Sequence, residues 1–226
     1  MRLNELKGYR QDPVYKIAAN SRDIQHFVTT MKNQGFSREF LGSGFFAGVF
    51  TKPGTDVVYK VFEYRDRGYR KYLDYMLRNQ DNPHVPKIIG RPIKFDLRQK
   101  SGGELPDSEK TTFLNKEVPQ HKRMSLIIVK LEKLEPVDTT QQFEEFDTVK
   151  RILRSLEQNS VGTSFKAKFE KYKKAKPELF NLLQNLNYLN NDDLDLHTDN
   201  VMFRGDTIVI IDPFAFTMGP TRGTWI

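Results

Sequence analysis

The sequence contains no cysteine, a single tryptophan and only four scattered histidines. The chain therefore has no disulfide and no thiolate-based zinc or iron–sulfur site, and we expect no histidine cluster that binds metal. It also lacks the run of about 18 apolar residues that a membrane span needs. The charged N-terminal segment does not resemble a signal peptide. These absences favour a cytosolic protein without a membrane segment.

The composition is that of a folded, basic protein. The 226 residues are 38% hydrophobic and carry a formal net charge of +7. This length and apolar content suffice for one domain or a compact pair of lobes. The charge permits attraction to nucleic acid, nucleotide phosphates or acidic protein surfaces, and does not distinguish among them.

Hydrophobic periodicity and turn residues predict an α+β fold. A helix is expected around Ile24, Val28 and Met31, ending at Gly35, and a second helix over 64–80. In the second helix we expect one apolar face made of Tyr69, Leu73, Met76 and Leu77. Further helices are predicted over 141–158 and 164–189, strands over 84–97 and within 124–136, where the strand ends in a polar connector, hairpins over 45–64 and 201–212, and a polar surface loop over 98–123.

The stretch LGSGFFAGVF, residues 41–50, allows two interpretations. Gly42, Ser43 and Gly44 form either a loop that covers phosphate groups or a glycine-rich turn between two buried strands, because glycine suits both. The stretch alone does not decide between them. Lys60, on the strand that follows, is suitably placed to meet phosphates if the first interpretation holds.

Carboxylates and an amide near the C-terminus are typical of a magnesium–phosphate site. Asp195 precedes Asn200 by five residues, and Asp212 directly follows an apolar strand. Magnesium prefers hard oxygen ligands and is often held by one or two side chains together with phosphate oxygens. Each of these residues alone would more often be a turn or capping residue. Their combination with Lys60 and the glycines favours a nucleotide site.

The order of these elements is the order found in protein kinases: glycine loop, strand lysine, Asp-x4-Asn, and an aspartate after an apolar strand. The chain resembles the protein-kinase-like fold. Its closing block, DLDLHTDNVMFRGDTIVIIDPFAF, is similar to that of the early-gene serine/threonine protein kinases of T7-like bacteriophages. The resemblance covers residues 42–216 and depends mainly on this block and on Lys60.

This resemblance implies a minimal two-lobed kinase fold and a role for each matching residue. The expected organisation is an N-terminal helical extension (1–40), an antiparallel-sheet N-lobe (41–136) and a truncated helical C-lobe (137–226). Asp195 would handle the proton of the attacking hydroxyl, Asn200 and Asp212 would hold Mg²⁺, and His197 would lie near the γ-phosphate of ATP. The expected nucleotide-binding residues are Gly42, Ser43, Gly44, Phe45, Val49, Lys60, Lys130, Leu131 and Glu132, the last three forming the adenine-binding hinge.

The chain departs from the kinase pattern in several places. Ala47 replaces the third loop glycine, although Gly48 follows, and Asp193 stands where the catalytic-loop histidine is usual. The acid that pairs with Lys60 is either Asp66 or Asp74. Only fourteen residues follow Asp212, so we expect no ordinary activation segment and no large helical subdomain.

The resemblance implies a phage-encoded enzyme that phosphorylates host proteins of transcription and RNA metabolism in the cytoplasm of the infected bacterium. The alternative is a kinase-shaped binding protein that inhibits a host protein by occlusion. A small-molecule kinase of the aminoglycoside type is a third, weaker interpretation. The basic stretch Lys166–Lys176 is either a docking face for nucleic acid or an acidic protein, or an ordinary solvated helix face.

Overall fold

The computed structural model describes residues 12–21, 23–39, 47–97, 112–113, 116–117, 124–189 and 194–214. The α+β class with an antiparallel sheet, expected from the sequence, is confirmed. In these ranges the helices are α1 (Pro13–Asn20), α2 (Ile24–Asn33), α3 (Arg67–Arg78), α4 (Thr140–Glu157), α5 (Thr163–Ala175) and α6 (Pro177–Tyr188). The strands are β1 (Ser37–Glu39), β2 (Ala47–Thr51), β3 (Val57–Glu63), β4 (Ile93–Leu97), β5 (Thr112–Phe113), β6 (Lys116–Glu117), β7 (Met124–Glu132), β8 (Glu135–Pro136), β9 (Val201–Arg204) and β10 (Thr207–Ile210).

The described residues form two compact units. The first contains the residues up to Asp66 and those of Ile89–Lys133, and the second contains Arg67–Ile88 and the residues from Leu134 onward. Helix α3 thus belongs to the second unit, whereas the lobe boundaries expected from the sequence assign it to the first lobe. Among the helices that the structure describes, none is both long and apolar enough to cross a membrane.

A five-stranded antiparallel sheet is the centre of the first unit, with strand order β1-β2-β3-β7-β4. The predicted hairpin is confirmed as β2 and β3. Its turn contains Gly54 at a φ of +76°. Glycine adopts this backbone conformation readily, whereas residues with a Cβ adopt it at a cost in free energy. The strand predicted over 84–97 is shorter than expected and covers only β4.

Helices α1 and α2 supply the core that covers one face of this sheet. The predicted helix around Ile24 is confirmed as α2, and Gly35 follows it at a φ of +81°. The buried core residues of helices and sheet together are Val14, Tyr15, Ile17, Ala18, Phe27, Met31, Phe36, Phe50, Tyr59, Val61, Leu126 and Ile128. Since side chains alternate along a strand, Tyr59 and Val61 face this core and Lys60 faces the other way.

The second unit combines helices α3 to α6 with a three-stranded antiparallel sheet in the order β10-β9-β8. The predicted C-terminal hairpin is confirmed as β9 and β10. Helix α3 buries Tyr69, Leu73 and Met76 as expected. Leu77 is 44% exposed, so its predicted membership of the apolar face is wrong. It lies in the last turn, one position beyond Met76 and therefore about 100° around the helix from it.

The helical pattern predicted over 164–189 is confirmed, but the chain forms two helices there. Helix α5 ends before Lys176 and α6 begins at Pro177. Proline has no backbone N–H and disfavours helical geometry in the residue before it, and Lys176 has a φ of −132° and a ψ of 64°. The helix predicted over 141–158 is confirmed as α4, which begins with a capping box between Thr139 and Gln142.

Most of the polar loop predicted over 98–123 lies outside the described residues. Within it, β5 and β6 form a two-residue antiparallel pair. The apolar strand predicted from Met124 is confirmed as β7, where it pairs with both β3 and β4.

Candidate functional site

The candidate residues of the first unit lie on the central strands of its sheet. Lys60 on β3 is directly opposite Val49 on β2, and Leu131 on β7 is opposite Val58. Residues directly opposite each other on antiparallel strands share a face, as do residues two apart on one strand. Val49, Lys60 and Leu131 therefore point to the same side of the sheet, away from helices α1 and α2.

Lys60 is 7% exposed. Burying an ammonium group is unfavourable unless an anionic or hydrogen-bonding partner is present. Of the two acids considered as partners, Asp66 is buried and follows β3 closely, whereas Asp74 on α3 is exposed. The choice between them stays a prediction.

The other two predicted hinge residues have side chains on the opposite face of the sheet. Lys130 is opposite Tyr59, and Glu132 is opposite Val57. The Nζ of Lys130 forms an ion pair with Asp12 Oδ2 at 3.0 Å. Its side chain thus stabilises the start of α1 and is not directed to the side on which Lys60 lies. A nucleotide-binding role for Lys130 and Glu132 would have to use their backbone atoms.

The predicted phosphate-covering residues Gly42, Ser43, Gly44 and Phe45 lie outside the described residues. The segment that contains them connects β1 to β2, which pair in antiparallel fashion. Both interpretations of this segment, phosphate loop and structural turn, require such a connection. The phosphate-covering role of this segment therefore stays a prediction.

In the second unit, Asp195 is fixed through its backbone. Leu194 and Phe214 form an antiparallel bridge, and the Asp195 amide donates to the Pro213 carbonyl at 2.9 Å. The Asp195 side chain is 52% exposed. This segment thus lies against the chain that leaves β10, with the carboxylate of Asp195 accessible. Asp193, the departure noted from the kinase pattern, lies outside the described residues.

Asn200 joins Asp195 to Asp212. Its buried side-chain Nδ2 donates to the Asp195 carbonyl at 2.5 Å. Its own carbonyl accepts from the amides of Ile211 at 2.9 Å and Asp212 at 3.3 Å. The three residues that the sequence singled out in this unit therefore belong to one hydrogen-bonded cluster.

Asn200 and Asp212 carry oxygen atoms of the kinds that bind magnesium together with phosphate. With Nδ2 used as the donor, Asn200 offers its amide oxygen Oδ1 to a cation, and Asp212 offers a carboxylate. Both are hard oxygen ligands, which magnesium prefers. Within the residues described, no group of three or more His, Cys, Asp or Glu side chains is arranged to hold a metal. A magnesium site that uses two protein side chains, with phosphate oxygens as further ligands, does not require three such side chains.

His197 orients the cluster. Its Nε2 lies 2.9 Å from Asn200 Nδ2, and its Nδ1 lies 3.3 Å from the Asp199 amide nitrogen. The Asp199 amide donates to Nδ1, and the role of Nε2 toward the Asn200 amide depends on the tautomer of the ring. The carboxylates of Asp195 and Asp199 lie 3.6 Å and 3.7 Å from the ring nitrogens. His197 thus helps to hold the Asn200 amide, a contact that the sequence did not reveal.

Two residues that the sequence analysis missed hold β10, the strand that leads to Asp212. The hydroxyl of buried Tyr72 on α3 donates to the Ile210 carbonyl. The carbonyl of His84 accepts from the Ile210 amide at 3.1 Å, and His84 Nδ1 lies 2.7 Å from the Ile208 carbonyl. Burial raises the pKa of Tyr72, with Tyr75 and Asp212 adding to the effect, so its hydroxyl remains a donor. The two residues in each of these contacts are more than a hundred positions apart in the sequence. The local sequence therefore contains no signal of them.

The basic stretch Lys166–Lys176 lies on α5 and the residue that follows it, in the same unit. No protein-family model matches the chain, and no curated protein matches it.

Proposed function

We propose that the protein is an ATP-dependent serine/threonine protein kinase. The observation that carries this proposal is the cluster in which Asn200 donates to the Asp195 carbonyl and accepts from the Asp212 amide. A kinase needs a carboxylate for the hydroxyl proton and an amide–carboxylate pair for magnesium. The exposed Asp195 side chain suits the first task, and Asn200 with Asp212 suits the second.

The environment of Lys60 supports the same proposal. In protein kinases the phosphate-binding lysine lies on the third strand of the small lobe, and Lys60 lies on β3 of an antiparallel sheet. Val49 and Leu131 share its face and are apolar, which suits contact with an adenine ring. Lys60 would neutralise charge on the α- and β-phosphates.

The proposed reaction transfers the γ-phosphoryl group of ATP to a seryl or threonyl hydroxyl. The hydroxyl oxygen forms a bond to the γ-phosphorus, and the bond to the oxygen that bridges the β- and γ-phosphates breaks. The hydroxyl proton passes to the Asp195 carboxylate, and ADP leaves. Bound magnesium would supply charge neutralisation at the phosphates, and Asn200 and Asp212 would hold it.

We further propose a setting for this activity, which follows from the resemblance to the kinases of T7-like bacteriophages. The enzyme would be phage-encoded and act in the bacterial cytoplasm on host proteins of transcription and RNA metabolism. The substrates would then be proteins of an uninfected bacterial lysate.

The test is transfer of labelled γ-phosphate from Mg-ATP to the protein itself and to a bacterial lysate. Asp195→Asn is the main variant, because the side chain is half exposed and the change should leave the fold intact. Its matched control is Asp206→Asn, at the exposed tip of the β9–β10 hairpin. Lys60→Met keeps an apolar stem in the buried position, with exposed Lys52→Met as its control.

The proposal predicts label on protein with the unmodified chain and both controls. Transfer should fall at least about a hundredfold in Asp195→Asn and Lys60→Met, the size expected for a group that contacts the reacting atoms. No transfer from a folded, unmodified chain would overturn the proposal. The protein would then be better explained as a kinase-shaped binding protein that occludes a host partner.

A further inference from the structure

Helix α5 and the residue that follows it carry most of the net positive charge of the chain in a short stretch. The stretch Lys166–Lys176 contains six lysines and one glutamate, a net +5 of the chain's formal +7. Lys166, Lys168, Lys171 and Lys174 are exposed. These four residues, here called the basic face, span roughly 200° of the helix circumference at 100° per residue. Glu170 lies between Lys166 and Lys174 on this arc.

The opposite side of the helix is fixed to the body of the second unit. Phe165 and Phe169 are buried, and the Phe169 ring meets the Phe180 ring of α6 edge-on at 5.3 Å between centroids. The guanidinium of Arg151 lies 4.3 Å from the centroid of the Phe165 ring. The basic face is therefore held rigidly outward.

Helix stability accounts for only part of the basic face. Lys168, Lys171 and Lys174 are three positions apart in succession, and neighbouring like charges at that spacing destabilise a helix by a few tenths of a kcal/mol per pair. Lys166 lies at the end of the first turn of α5, where the helix dipole disfavours cations, whereas Lys174 lies in the last turn, where the dipole favours them. Within the part of the chain that the structure describes, none of the four forms an ion pair.

We propose that the basic face binds the phosphate backbone of nucleic acid without reading its sequence. The Cβ atoms of lysines three positions apart on a helix lie about 5–6 Å from each other, and a regular row of flexible cationic side chains suits a regularly charged polyanion. No aromatic side chain is exposed on α5, so base stacking does not contribute. Contacts to phosphate alone give affinity without sequence preference.

Other occupants fit this face less well. Protein–protein interfaces are depleted in lysine and are anchored by aromatic or other large side chains, which the exposed side of α5 lacks. A helix lying on a membrane must insert its apolar side, and the apolar side of α5 is buried inside the second unit. The proposal is independent of the kinase activity proposed above.

The test measures binding of a short, fluorescently labelled single strand of mixed sequence, and of the corresponding duplex, by anisotropy. The variant is the triple change Lys168→Gln, Lys171→Gln and Lys174→Gln, which preserves helix propensity. The matched control is Lys16→Gln, Lys32→Gln and Lys133→Gln, which removes the same charge from exposed positions of the first unit. Circular dichroism checks that both variants are folded.

The logarithm of the association constant falls linearly with the logarithm of the salt concentration. Between about 50 and 200 mM salt, each lost phosphate contact should make this slope shallower by about 0.7 for the single strand and about 0.9 for the duplex. The slope of the α5 variant should therefore be shallower by about 2 to 3. Its affinity at the lower salt concentration should be at least about tenfold weaker. The control should change affinity less than about threefold.

Two results would overturn the proposal. Equal losses in the two variants would show that only the overall charge matters. The second result is that polyglutamate competes for the protein as well as an unlabelled oligonucleotide does, with both kinds of binding lost in the α5 variant. That result would assign the face to acidic proteins.

Discussion

The side-chain amide of Asn200 donates to the backbone carbonyl of Asp195 across 2.5 Å. Asn200 is 8% exposed, so its removal leaves that carbonyl without its buried donor. We expect Asn200→Ala to lower the free energy of unfolding by about 1–2 kcal/mol, and Asn200→Asp, which cannot donate, by at least as much. Urea unfolding measures both.

The control for this prediction is Asn181→Ala on α6, where the side chain is exposed. It should change the free energy of unfolding by less than about 0.5 kcal/mol. If Asn200→Ala were equally mild, the amide would not hold the Asp195 segment, and the cluster would lose its structural basis.

Local features of the sequence predicted the parts of the fold that depend on local physics. The hairpin of β2 and β3 follows from Pro53-Gly54 and the valines around it, and α2 follows from its apolar spacing and Gly35. The break at Pro177 had a visible signal, which the continuing leucine and lysine periodicity on both sides obscured. A proline within a helical pattern ends the helix there even where the apolar periodicity continues.

The local sequence likewise predicts some features of the candidate site and not others. Asp195 and Asn200 are five residues apart, and this spacing in the sequence predicts that they belong to one site. The direction of the Asn200 amide depends on the helical turn over Thr198–Asn200 and on His197, which spacing does not reveal. The supports from Tyr72 and His84 depend on tertiary contacts between distant segments, for which a single sequence contains no signal.

Tyr72 provides a second test of the structure around β10. Its hydroxyl is buried and donates to the Ile210 carbonyl. Tyr72→Phe keeps the ring and removes the donor, so we expect a loss of about 1–2 kcal/mol in the free energy of unfolding. Tyr188→Phe, at a side chain that is 88% exposed, should have almost no effect. Equal stability of the two variants would contradict the importance of this hydrogen bond.

His84 should make stability depend on pH. It is 6% exposed, and its Nδ1 lies 2.7 Å from the Ile208 carbonyl, so the neutral ring donates from Nδ1. Burial lowers the pKa of His84 from its ordinary value of 6.5, with a smaller contribution from Lys176, while Ile208, Glu145 and Glu178 oppose the shift. The unfolded chain therefore binds a proton at a higher pH than the folded chain does.

The sign follows from this difference. The stabilisation is complete above the unfolded pKa of 6.5 and is lost as the pH falls from there toward the lower folded pKa. The loss is at most about 1.4 kcal/mol per pH unit for one proton. Urea unfolding at a series of pH values between neutral and mildly acidic measures the slope. His84→Asn keeps a donor near the Nδ1 position and removes the titration, so its slope should be smaller. An unchanged slope would exclude His84 as the source.

Asp12 and Asp23 offer a comparison of two helix caps with different surroundings. Both side chains accept from an amide at a helix start, Asp12 from Val14 at 3.0 Å and Asp23 from His26 at 2.7 Å. Loss of such a cap costs about 1 kcal/mol.

Asp12 has two further partners on the central strands. Its Oδ2 accepts from the Tyr59 hydroxyl at 2.9 Å and lies 3.0 Å from Lys130 Nζ. Its side chain is 10% exposed. Burial and the Asp12 carboxylate raise the pKa of Tyr59, which therefore remains a donor. We expect Asp12→Ala to cost about 2–4 kcal/mol in the free energy of unfolding, clearly more than Asp23→Ala.

Asp12→Asn separates the two contributions. It retains an oxygen that can cap α1 but removes the charge that Lys130 faces, so its cost should lie between those of Asp23→Ala and Asp12→Ala. Lys130→Met, combined with Asp12→Asn in a double-mutant cycle, measures the coupling between the two side chains. Additive effects would mean that the ion pair contributes nothing and that the cap and Tyr59 alone attach α1 to the sheet. A measurable coupling would instead identify Lys130 as a structural residue of the first unit, whose side chain is committed to α1.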